Sequence, residues 1–133
     1  MYGVLDISTS GLVAQRIQLD TIAANVANSR TTRRADGAPG PYMRRVALLS
    51  PGDGKGGEGV HVSSIVEDTN LKPRMVHDPS HPDANADGYV LYPNVDPATE
   101  MINAMVAMRA YEANVTAMEA AKSMMAATLR LLA

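Results

Sequence analysis

The 133-residue chain has no cysteine, which excludes disulfides, thiolate metal sites and thiol nucleophiles. It also lacks phenylalanine and tryptophan, and five tyrosines are its only large rings. Nine methionines and a high alanine content stand in their place. Such a composition supplies little bulk for a globular core and suits helices that lie close together along their length. No apolar run nears the ~20 residues of a membrane span. The start, MYGVLDISTSG, shows no basic segment followed by an apolar one, so no cleaved secretory leader is expected.

What is present is 46% apolar and 20% charged, a composition that folds. The formal net charge of -2 is spread unevenly. Residues 1–50 carry six basic and three acidic side chains, and residues 51–133 carry six basic and eleven acidic ones. Arg30, Arg33, Arg34, Arg44 and Arg45 supply most of the positive half. Tyr42 is the only aromatic beside them and no nucleic-acid motif is present, so the cluster reads as a basic loop, solvated or facing an acidic neighbour.

Three parts are expected: an N-terminal helix within residues 1–29, a small β-rich and loop region over 30–95, and a long C-terminal helix over 96–133. The middle part holds 7 of the 8 prolines and 8 of the 10 glycines. The fold class is mainly α with a small β insertion, the two helices forming a coiled-coil-like pair.

The first helix is expected from about Ile7 to Asn28, capped by Asp6 or Ser8. Leu12, Leu19, Ile22 and Val26 share one side at about 100° per residue, and Val13 and Ile17 lie on a second, weaker strip. In the last part Asp96 is a good N-cap, and Pro97 suits the first helical position because its missing N–H costs nothing there. Beyond Pro97 there is neither glycine nor proline, so one helix of roughly 50 Å is expected at about 1.5 Å per residue. Its first seam reads Met101, Met108, Val115 and Leu129, with Met118 and Met125 on the alternate position. A second strip holds Ile102, Val106, Ala113, Ala117 and Met124. One partner helix covers only one strip, so the surplus faces other protein molecules.

Strands are expected at residues 42–49, 60–66, 74–77 and 89–92, forming one small antiparallel sheet, with PGDGKGGEG as a loop tip.

The stretch HPDANADG, from His81, places Asp83, Asn85 and Asp87 in the opening pattern of a calcium-binding loop. The twelfth position, Asn94, is not the required glutamate, and prolines rather than a helix precede the loop. Asp87-Gly88 is a strong turn pair, and a self-bonded connector explains the stretch better. His77 and His81 are separated by Pro79, which removes helical presentation of a zinc pair. The serines lack a partnered base, and the glycine-rich loop lacks the ending of a phosphate-binding loop. No enzyme, cofactor or metal is indicated. The alternative is a small calcium- or nucleic-acid-binding adaptor.

SGLVAQRIQLDTIAANVANSRTT resembles the N-terminal motif of the bacterial flagellar rod, hook and hook-associated protein family, through Leu12, Gln15, Leu19, Ile22, Ala23, Asn25, Ala27 and Asn28. The long stretch from His77 through the last helix is similar to the proximal-rod branch of that family. The resemblance implies a structural subunit exported by the flagellar type III apparatus. It implies polymerisation with other rod proteins and copies of itself through the terminal helices, in a rod that crosses the periplasm. No nucleic acid and no lipid-embedded segment is implied.

Overall fold

The computed structural model describes residues 2–54 and 56–132. Met1, Lys55 and Ala133 lie outside the described residues, as do the side chains of Tyr2 and Leu132.

Helix α1 spans Tyr2–Ala27 and helix α2 spans Pro97–Leu132. Between them run strands β1 (Arg45–Pro51), β2 (Val60–Glu67), β3 (Arg74–His77) and β4 (Tyr89–Tyr92). The chain is mainly helical with a small β region, as the sequence implies. The strands make two separate antiparallel ribbons, β1–β2 and β3–β4, rather than one sheet. Helix α1 also starts earlier than expected. Asp6 and Ser8 fall inside it, Ser8 is buried, and neither caps an end.

Helix α2 begins at a full cap. Asp96 accepts the Ala98 and Thr99 N–H groups and the Thr99 hydroxyl, the last at 2.6 Å. The Thr99 hydroxyl, with the two N–H groups, holds the Asp96 carboxyl below its usual range.

The helices pack antiparallel. Asn25 meets Glu100 near one end, and Gly11 lies against Asn114 farther along. A Cβ at Gly11 would fall 2.8 Å from Asn114 Nδ2, so the glycine permits the close approach. The same register brings the start of α1 opposite residues near Ser123. Residues 126–131 of α2 therefore project past its partner, and all six are exposed. The β1–β2 ribbon covers another side of α1. Ser10 Oγ accepts the Val60 N–H at 3.1 Å and seats the ribbon's tip on the helix.

The true α2 seam is Glu100, Ala107, Asn114 and Ala121, alternating with Ala104, Met118 and Met125. Opposite it, α1 buries Ser8, Gly11, Ala14, Thr21, Ile22 and Asn25. Leu12, Leu19, Val115, Met118 and Met125 are half-buried near this contact. Four expected seam residues are not in it: Met101, Met108, Leu129 and Val26 are exposed. The reason is physical. The buried position is one residue earlier and is filled by small or polar side chains, so weighting by large apolar residues slips the seam by about 100°.

Candidate functional site

Two features sit where the helices meet the ribbons: a buried polar knot, and an apolar flank of α2 beside it.

Asn25 is the centre of the knot, with none of its surface exposed. Its Nδ2 donates to Glu100 Oε2 at 3.0 Å and to the Arg45 carbonyl at 2.8 Å. Its Oδ1 accepts the Arg45 N–H at 2.8 Å and the Tyr42 hydroxyl at 2.9 Å. Glu100 is 1% exposed, and its Oε1 receives Arg44 Nε at 2.7 Å. Arg44 also reaches Asp68 Oδ2 at 3.2 Å. One asparagine and the two ion pairs of Arg44 thus tie α1, α2, β1 and the chain leaving β2 together. A buried carboxylate is tolerable here because both its oxygens are satisfied. Burial raises the Tyr42 hydroxyl pKa, and the guanidinium of Arg45 partly offsets the rise.

The connector before β4 is bonded to itself and to the basic loop. Asn85 Oδ1 accepts the Asp87 and Tyr89 N–H groups at 3.0 and 2.9 Å. Asp83 is engaged by the basic loop instead. Its Oδ2 accepts the Thr32 hydroxyl at 2.8 Å, and its Oδ1 meets the Arg33 guanidinium at 2.7 Å. The bonds from Arg33 and Thr32 pull the Asp83 carboxyl below the usual range. The calcium-loop spacing therefore does not converge on an ion position. His77 packs edge-on to Tyr89, while His81 accepts the Asp83 N–H and lies edge-on to Tyr92. No group of three or more metal-ligating side chains assembles among the described residues. Among them, too, no helix is long and apolar enough to cross a membrane.

The second feature is surface. The interior holds few large apolar side chains: Ile22, Val90 and Val95 beside the alanines 14, 47, 107 and 121. On the outer flank of α2, Met101, Ile102, Met105 and Val106 are 59–67% exposed. Farther along, Ala113, Ala117 and Met124 are exposed, and on α1 Val13 is exposed while Ile17 is half-buried. Met105 was missed by the strip analysis, though its spacing of four from Met101 places it on the same flank.

Sequence reasoning also missed Glu100 and Arg44. A glutamate in the first turn of a helix is explained by the helix dipole alone, so nothing in the pattern marks it as buried.

A helix pair whose contact is made by small and polar side chains, with Met101, Ile102, Met105 and Val106 left outside it, fits a class: structural subunits built for side-by-side assembly. Comparison gives the class its place. A family model described as flagella basal body rod protein matches residues 5–33, and one described as flagellar basal body rod FlgEFG protein C-terminal matches residues 86–131. The chain is 42% identical to flagellar basal-body rod protein FlgC of Bacillus subtilis (strain 168), with 96% of this chain and 95% of that protein covered. It is 37% identical to FlgC of Salmonella typhimurium over 98% of this chain and 97% of that protein, and 35% identical to FlgC of Borreliella burgdorferi over 99% and 97%. The chain belongs to the FlgC family of flagellar basal-body rod proteins. It is a structural subunit of the basal-body rod.

Proposed function

We propose that this subunit is exported unfolded through the flagellar type III export apparatus, without catalytic activity of its own. It then polymerises with other rod proteins and copies of itself in a rod that crosses the periplasm, and it passes torque along that rod. The helices supply the contacts. Met118 and Met125 serve the intrachain seam with Leu12, Leu19 and Ile22, while Val13, Ile17, Ile102, Val106, Ala113, Ala117 and Met124 face neighbouring subunits.

The observation that carries the reading is the α2 flank, where Ile102 and Val106 lie 62% and 65% exposed beside a seam that needs neither. Burying each large side chain against a neighbour contributes roughly 1.5–3 kcal/mol. The first ribbon suits the same role, because the polar knot fixes it to both helices and so offers a path for load between the two parts.

The test is Ile102→Asp and Val106→Asp. Rod assembly, scored by the basal bodies recovered from cells, is expected to fail while the isolated chain keeps its melting temperature. Equal loss of both would assign these side chains to the internal core and overturn the reading.

A further inference from the structure

The rod assignment leaves the basic loop unexplained. Residues 28–44 fold back on themselves: Arg34 N–H bonds to the Ala38 carbonyl, and the Gly40 and Tyr42 N–H groups bond to Thr32 and Thr31. Between this loop and the base of the β1–β2 ribbon lies a groove of about 680 Å³, lined by Arg33, Arg34, Arg45, Tyr42 and Glu67 among others. Three guanidiniums face one carboxylate. Arg33 is taken by Asp83. Arg34 and Arg45 form no ion pair among the described residues, although Arg45 lies 5.7 Å over the Tyr42 ring. Glu67 is opposite Arg45 across the ribbon, too far for a salt bridge.

We propose that this groove receives an acidic segment of a partner protein, two carboxylates of which engage Arg34 and Arg45. Guanidiniums that line one groove without an ion-pair partner favour carboxylates through paired, charge-assisted hydrogen bonds. Asn28 and Thr31 complete the groove's polar rim, and the bond from the Thr31 hydroxyl to Asn28 Oδ1 holds that rim in place. The site is distinct from the helical flank and does not depend on it.

The knot uses the Arg45 backbone N–H and carbonyl, not its guanidinium, so Arg45→Gln leaves the fold intact. The probe is a hexaglutamate peptide titrated into the isolated chain by NMR. At about 10 mM salt, where the Debye length is about 30 Å, saturable shifts are expected in residues 31–35 and 42–45. The Arg34→Gln/Arg45→Gln variant is expected to bind about tenfold more weakly or worse. Absence of shifts, shifts elsewhere, or undiminished binding by the double variant would overturn the proposal. So would tighter binding of a DNA hexamer than of hexaglutamate at this groove, which would make it a nucleic-acid site. Assembly of the double variant is read separately, so that a failure of the rod reading leaves this result standing.

Discussion

The side-chain amide of Asn25 donates to the carboxylate of Glu100 at 3.0 Å, although 75 residues of chain separate them. That contact closes the molecule. It joins the end of one helix to the start of the other and orients both toward the first ribbon.

Asn25→Ala is expected to destabilise the isolated chain by about 2–4 kcal/mol, since the Tyr42 hydroxyl, the Arg45 peptide groups and Glu100 lose their partner in a buried place. Asn25→Asp is expected to be at least as harmful, because it sets a second carboxylate against Glu100. Urea denaturation of both variants checks this. A loss under about 0.5 kcal/mol for each would show the knot to be dispensable.

Gly11 gives a cleaner measurement. Replacing a mid-helix glycine by alanine ordinarily stabilises by about 0.5–1 kcal/mol. Here the new methyl meets Asn114 Nδ2, which is held by the Ala110 carbonyl at 3.1 Å. Gly11→Ala is therefore expected to bring no gain in the natural chain and the full gain in an Asn114→Ala background. The double-mutant cycle reports the coupling directly.

The seam correction is testable by two methionines. Met118→Ala, at the helix contact, is expected to cost about 1–3 kcal/mol of monomer stability. Met101→Gln, 67% exposed, is expected to change it by less than about 0.5 kcal/mol. Thermal melts of the two variants, side by side, decide which register is right.

Acid is expected to loosen the basic loop. Arg33 and Thr32 lower the folded-state pKa of Asp83, so its contribution is complete above the unfolded value near 4 and disappears as pH falls through the lower folded one. Amide signals of residues 31–40 and 81–85 should shift together below about pH 4. In Asp83→Asn that concerted step should be absent, while other acid transitions remain.

Much of the scaffold was legible in the residues. Asp96 and Pro97 announce α2, and the absence of glycine and proline carries it through Leu132. The runs at 60–66, 74–77 and 89–92 are strands. The start of α1 was not legible, because Asp6 and Ser8 read locally as N-caps, whereas the helix runs on to Tyr2 through largely exposed residues. The split into two ribbons depends on pairing between distant residues, which no local pattern encodes. The seam was misread by one position because Glu100, Ala107, Asn114 and Ala121 carry almost no apolar signal. The surplus of apolar surface was legible, since counting strips requires only their number.

The stagger of the helices has one more consequence. Residues 126–131 of α2 extend past α1, exposed, with no other described element of the chain packed beside them, and an unpacked helix end opens most easily. A neighbour that binds this end is expected to hold it in order, and a lone chain is expected to fray there. Amide exchange over residues 126–131 therefore works as a gauge of whether a neighbour is in place, read from a part of the molecule that the knot does not reach.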